Sequence, residues 1–418
     1  VTGTGSQRVA ITGLGVVGAA GLGHEALAES LRAGAPCLRE VELAPEFHAR
    51  GAHRQAALLP SWEFPGWLSP MAGRRMSRPS KLAVVAARMA LADAALAVKE
   101  IAPESAAVGL ATSFGPTEFS ERILRTLFEE GPEATSPALF TESVANAPAA
   151  QVALALGARG PNITVTQREA GPWIAVAGVA REVASGRSEV GLAGGIDELN
   201  PLLHAILDRF GALAGSGRRP DPAQAPQARP FDRERDGFLA AEGAAVVVLE
   251  SEERAIRRGI RPLAFLRASI AGFDPQAPVS GWSRRPDTLT ARLRARLASA
   301  GIEPGAIDCI VSGGSGSRGA DRLDALVLRA LWEGEAPLPP ILAPKGVVGE
   351  HAGGHLAAAV LAAAGHTFGP TAGFREADPE LGITPHDGRE MAPPTRLLAS
   401  ALAAGGAAAW AVLEAGER

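Results

Sequence analysis

Five short apolar runs punctuate the N-terminal part of the chain: VAITG from Val9 to Gly13, AVGLATS from Ala107 to Ser113, NITVTQ from Asn162 to Gln167, EVGLAGG from Glu189 to Gly195, and AAVVVLE from Ala244 to Glu250. Their length, β-branched content and flanking glycines predict strands buried on both faces of a sheet. Ser80 to Leu96 follows another period. Leu82, Val85, Met89, Ala92 and Leu96 recur at helical spacing, which predicts an amphipathic helix placed before a strand. Beyond a loop rich in Pro, Gly and Arg, from Gly215 to Pro230, the same grammar returns as LAFLRAS, a helix near Asp287 to Ala300, IDCIVSG, PILAP and AAAWAVLEA. The pattern predicts an α/β protein of two similar layered halves in one compact fold, although residue identity between the halves does not by itself reveal a repeat.

Composition narrows the partners. The 418 residues are 46% hydrophobic and 21% charged, ample for a buried core and for two or three units or one duplicated fold. A net charge of −4 gives no basic excess to draw nucleic acid or an anionic membrane. With aromatic content at 5% and no Tyr, platforms for stacking single-stranded bases are poorly supplied. Two cysteines, Cys37 and Cys309, make neither a disulfide framework nor a zinc cage, so a reducing cytoplasm fits. The amino terminus lacks the pattern of a secretory signal. The most apolar stretches, Leu356 to Gly365 and Ala401 to Leu413, fall short of the roughly 18 to 20 residues that span a bilayer. A soluble protein is expected, and its weakly positive mean hydropathy points to apolar surface covered by another subunit.

Two motifs suggest ligands. GLGVVG, from Gly13 to Gly18, has the G-x-G-x-x-G spacing with which backbone amides can approach a pyrophosphate, but no strand ending in an acid follows at the distance a dinucleotide site requires. A structural turn is the competing expectation. His351 and His355 stand four apart in GEHAGGH, a zinc-compatible spacing without a visible third ligand and weakened by the intervening glycines. Ordinary surface or interface histidines are expected there, and no metal.

Six segments in order resemble the β-ketoacyl synthase family of the thiolase superfamily: RVAITGLGVVGAAG, SVANAPAAQVALALGARGPNITV, ASGRSEVGLAGGIDEL, RPFDRERDGFLAAEGAAVVVLE, GGSGSRGADRLDALVL and APKGVVGEHAGGHLAAA. The likeness runs almost the full length. It implies a thiolase-like αβαβα fold with an N-terminal ketosynthase-like half over 1–255, carrying dimer-interface insertions, and a C-terminal half over 256–418.

In active members of that family a cysteine at a strand-to-helix elbow accepts the acyl chain and two histidines assist decarboxylation of the extender. Continuing from PNITV, the cysteine position falls on Glu169, the first histidine position on Gly313 and the second on Glu350, with the accompanying lysine retained as Lys345. No catalytic residue is therefore expected. The pattern resembles the chain length factor, or ketosynthase β subunit, of type II polyketide synthases. Glutamine is the common replacement at the elbow in aromatic systems, so Glu169 departs from that pattern. Arg168 and Lys345 are candidates to balance the two carboxylates.

That resemblance implies a heterodimer with an active ketosynthase α subunit, built largely by Leu139 to Asn162. It also implies an acyl carrier protein whose phosphopantetheine bears the chain, with no cofactor bound by this subunit itself. Thr117, Ser120 and Leu124 share one face of a helix expected over Pro116 to Phe128 and match the family's chain-length gate, an interface helix being the competing expectation. Trp173 is either a deeper plug or core. The competing functions are an autonomous acyl-transferring or malonyl-decarboxylating enzyme and a binding or regulatory homodimer.

Overall fold

A computed structural model describes residues 7–48, 55–216, 227–334 and 337–416, so most of the Gly215 to Pro230 loop lies outside the described residues. One continuous sheet organises them. In spatial order its strands are Ile341–Leu342, Cys309–Ser312, Arg396–Leu402, Ala407–Ala415, Ala264–Phe273, Val9–Gly18, Gly243–Ser251, Val190–Asp197, Ala106–Ala111 and Asn162–Val165, with the short Gly21–Leu22 pairing off this path. Val9–Gly18 and Ala264–Phe273 meet antiparallel at the middle, through Val9 to Ile11 only. Outward from each, two antiparallel pairings are followed by two parallel ones. The halves thus repeat one topology, which accounts for the repeated grammar of the sequence.

Two central helices fill the space between the halves. Gly171–Ala184 and Gly354–Ala363 each pack on strands of both halves. Every residue of Gly354–Ala363 is buried, so the apolar stretch from Leu356 belongs to the core as far as Ala363, with Ala364 exposed beyond it. Among the described residues no helix is long and apolar enough to cross a membrane. Arg78–Asp93 and Ala147–Leu156 cover one outer face, Pro286–Ser299 and Arg318–Trp332 the other. The result is the five-layered αβαβα arrangement.

The glycines of GLGVVG serve packing. Gly13 to Gly18 lie inside the strand Val9–Gly18, not in a turn at a helix start, so no phosphate cradle forms. A Cβ on Gly13 would sit 2.2 Å from the Ala90 carbonyl, and one on Gly15 would sit 1.9 Å from the Ala86 carbonyl. Only glycine lets the outer helix lie this close to the strand. That helix begins at a Ser77 cap, whose side chain accepts from the Ser80 amide, and stops at Asp93, ahead of the expected Leu96. The early stop follows from Ala95, which has φ +46°, a conformation that ends the helical run.

One strand escapes the apolar pattern. Ala401 to Leu413 reads as a single stretch, yet a turn at Gly405 and Gly406, both with positive φ, divides it. The two sides pair antiparallel as Arg396–Leu402 and Ala407–Ala415. Alanine and leucine carry little strand preference, so only the glycine pair marks the boundary.

Candidate functional site at the strand-to-helix elbow

Asn162–Val165 leads through Thr166 and Gln167 into a 3₁₀ turn, Arg168–Ala170, and directly into the central helix Gly171–Ala184. Arg168 takes φ +45°, an uncommon conformation for a residue with a Cβ, and makes the bend abrupt. Gly171 keeps the helix start close to the sheet, because a Cβ there would stand 3.0 Å from Ala111 Cβ. Glu169 sits in this elbow. Its Oε2 is buried without a hydrogen-bond partner among the described residues. Burial and then the negative charge of Glu350 push its carboxyl up to about 7, while Lys345, the local backbone and Arg168 pull the other way.

Lys345 starts the short helix Lys345–Val348 and is 3% exposed. Its Nζ donates to both carboxylate oxygens of Glu350, at 2.7 and 2.9 Å. Gly349, at φ +72°, makes the tight return that brings Glu350 back onto this lysine. The Glu350 amide donates to the Leu239 carbonyl at 2.8 Å. Lysine and glutamate therefore form a closed pair, one charge against one, fixed at its backbone as well.

Gly313 follows the strand Cys309–Ser312, and a Cβ built on it would lie 2.8 Å from the Ser400 carbonyl. No side chain fits at that position unless the neighbouring strand shifts. Beneath it, buried Asp324 accepts from the hydroxyls of Ser312 and Ser400, and burial raises its carboxyl. Lys345 opposes that rise, which places Asp324 and Gly313 on the same cluster as the lysine. The fold thus gathers Glu169, Lys345, Glu350 and the Gly313 backbone at one place. Asp324 was missed in the sequence because a lone acid on a helix otherwise reads as a solvated charge.

Trp173 and His355 bind each other in the core between the halves. The Trp173 indole N–H donates to His355 Nδ1 at 3.1 Å, which leaves the His355 proton on Nε2, facing the Val311 carbonyl at 3.1 Å. Burial and the Lys345 charge hold His355 down to about 3 and His351 to about 4, so both are neutral. Both ring nitrogens of His355 are committed, and among the described residues no group of three His, Cys, Asp or Glu could hold a metal. Trp173 is 2% exposed on the central helix.

The Thr117–Glu129 helix lies at the surface with none of its residues buried. Thr117 Oγ1 donates to Glu198 Oε1 at 2.9 Å, and Ser120 Oγ lies 2.9 Å from the Pro116 carbonyl and 3.1 Å from that of Ser143. Leu124 is 50% exposed and Phe128 82% exposed on the same helix. Phe114, Phe140 and Leu154, from the segments before and after it, are exposed as well.

The profile described as the N-terminal domain of β-ketoacyl synthase matches residues 6–255. The chain belongs to the β-ketoacyl synthase family. It is 31% identical over 402 residues to the tetracenomycin polyketide synthase ketoacyl synthase alpha subunit of Streptomyces glaucescens, covering 92% of each chain. The solved ishigamide ketosynthase/chain length factor superposes with a TM-score of 0.87 at 28% identity, over 98% of this chain and 99% of that one. A ketosynthase solved with its type II acyl carrier protein and a hexaketide gives 0.86 at 23% identity, over 98% of this chain and 100% of the other, a likeness of fold. The fold is the thiolase-like ketosynthase fold, and the chain is a ketosynthase-like protein of the type II polyketide group.

A pH test isolates the elbow carboxyl. Glu169 retains its proton in the folded state to about pH 7, whereas the unfolded chain releases it near 4.5. Folded protein therefore binds more protons across that window, and this group lowers stability as pH rises through it. Glu169→Gln removes the penalty, so the variant should gain Tm over the parent at pH 8 and gain little at pH 5. Thermal unfolding at both pH values measures this; an equal gain at both would show that Glu169 is ionised throughout.

Proposed function

We propose that this chain is a catalytically inactive ketosynthase-like subunit, a chain length factor, which pairs with an active ketosynthase and shapes the tunnel in which a polyketide or polyene chain elongates. The observation that carries this is the elbow itself. Claisen condensation requires a thiolate to hold the acyl chain and donors to stabilise the enolate left when carbon dioxide departs. Glu169 offers a carboxyl that burial pushes up to about 7, and attack by its carboxylate on a thioester would give an anhydride. Gly313 has no room for a side chain, and Lys345 is closed onto Glu350. None of the three positions supplies the chemistry.

In this proposal the halves 1–255 and 256–418 act as one unit, and the apolar face around Leu124, Phe128, Phe140 and Leu154 receives the partner subunit. The carrier protein's phosphopantetheine brings the chain to the partner's cysteine, and this subunit binds no cofactor of its own. The complex works in the cytoplasm, where the two cysteines stay reduced. Co-expression with an active ketosynthase and size-exclusion chromatography test the pairing. A predominantly apolar interface of more than about 2,000 Å² survives roughly 1 M salt, where screening removes exposed ion pairs. One co-eluting peak at high salt is the expected result; two separate peaks would refute the pairing.

The runner-up, an autonomous acyl-transferring or decarboxylating enzyme, is favoured by the name of the Streptomyces glaucescens relative, a ketoacyl synthase alpha subunit. The cluster around Glu169 weighs against it. Carbon dioxide release from malonyl carrier protein by the purified chain would reverse that weighting.

A further inference from the structure

Glu198 immediately follows the strand Val190–Asp197 and is 1% exposed. It points to the first turn of the surface helix Thr117–Glu129. Its Oε1 accepts both the Thr117 hydroxyl, at 2.9 Å, and the Glu118 amide, at 2.8 Å. Its Oε2 is buried without a hydrogen-bond partner among the described residues. The helix has no capping side chain at its own N-terminus, where Pro116 stands, and none of its residues is buried. Apolar packing therefore holds it weakly, and polar contacts hold it instead. Asn200, two residues beyond Glu198, donates to Glu121 Oε2 at 3.2 Å, and Arg78 pairs with Glu118 at 3.0 Å.

We infer that Glu198 is a positioning residue: a cap supplied from the end of a core strand that fixes the Thr117–Glu129 helix in register and so sets how far the proposed tunnel extends. The inference rests on the chain-length reading above and adds a residue that touches no acyl chain. A carboxylate at a helix N-terminus satisfies free amides and meets the positive end of the helix dipole. Here the cap reaches from the rigid sheet, so it transmits the sheet's position to a helix the core does not grip. Burial raises the Glu198 carboxyl to about 7 against the hydrogen bonds from the Glu118 amide and the Thr117 hydroxyl, which pull it down; the Glu118 charge adds to the rise and Arg78 opposes it. An uncharged amide should therefore replace it well, because its oxygen can accept the same two donors.

The experiment uses the full chain in complex with an active ketosynthase and carrier protein, and compares the parent with Glu198→Ala, Glu198→Gln and Ser120→Phe. Hydrogen exchange at the amides of the first turn reports the cap, and product masses report the register. Glu198→Ala should speed exchange there by roughly 10-fold, the usual scale for a lost N-cap, and broaden the product lengths. Glu198→Gln should restore both. Unchanged exchange in Glu198→Ala would overturn the cap. Faster exchange with unchanged lengths, while Ser120→Phe shifts them, would leave Glu198 purely structural and overturn its role in length. Unchanged lengths in Ser120→Phe as well would show that the helix is no gate, overturning the chain-length reading and this inference with it.

Discussion

Purified alone and incubated with acyl and malonyl carrier proteins, the chain should acquire no acyl adduct and release no carbon dioxide. Glu169→Cys should not rescue condensation. A thiol at that elbow would gain thiolate character from the helix start and could accept an acyl group. The two donors that stabilise the enolate would still be missing, and each such loss costs about 10²- to 10³-fold, so condensation should remain at least about 10⁴-fold below an active ketosynthase. Restoring the first donor is blocked by packing, since a Cβ on Gly313 would press on the Ser400 carbonyl at 2.8 Å. Freeing Lys345 would require removing Glu350. Intact-mass spectrometry and carbon dioxide release measure both halves of this expectation. Condensation by Glu169→Cys alone would show that the cluster is an active site lacking only its nucleophile.

The second large effect concerns the surface helix. In the reconstituted pair, Ser120→Phe should shorten the products while the yield of complex holds. Where the proposed partner covers Ser120 in the complex, overpacking the site costs about 1 to 3 kcal/mol, which shifts a ratio of two product lengths by about 5-fold to more than 100-fold. Leu124→Ala should act the other way, by opening space at a half-exposed position. Thr117 is a poorer place for a bulky residue, because its hydroxyl is bound to Glu198 and its loss disturbs the helix start as well. Mass spectrometry of the products decides the matter: unchanged lengths in both variants, with the complex intact, would remove the gate from this helix.

Buried strands are legible where β-branched residues cluster, as in Gly243–Ser251, and not where alanine and leucine replace them, as in Arg396–Leu402; Asn162–Val165, also expected to be buried, lies at the edge of the sheet with none of its residues buried. Glycines were legible as punctuation but not as contacts. Gly13 and Gly15 took the spacing of a nucleotide loop and turned out to admit a helix. At the elbow, Glu169, Gly313, Lys345 and Glu350 were placed by resemblance alone, and the structure gathers them. Their electrostatics were out of reach. That Lys345 closes on Glu350 rather than Glu169 depends on the return made at Gly349, and the Glu169 shift depends on burial created by segments far away in the chain. Glu198 carried no signal, because an acid after a strand resembles a surface charge until its partners on the Thr117 helix are seen.

As the proposed chain length factor, this subunit contributes shape and no chemistry, and the rate of product formation by the purified heterodimer in which it carries Glu169→Ala tests this most directly. A rate within about 3-fold of the parent complex is expected, with the acyl chain carried on the ketosynthase partner alone. A fall of 100-fold or more, with the complex still intact, would place Glu169 in the reaction and contradict that role.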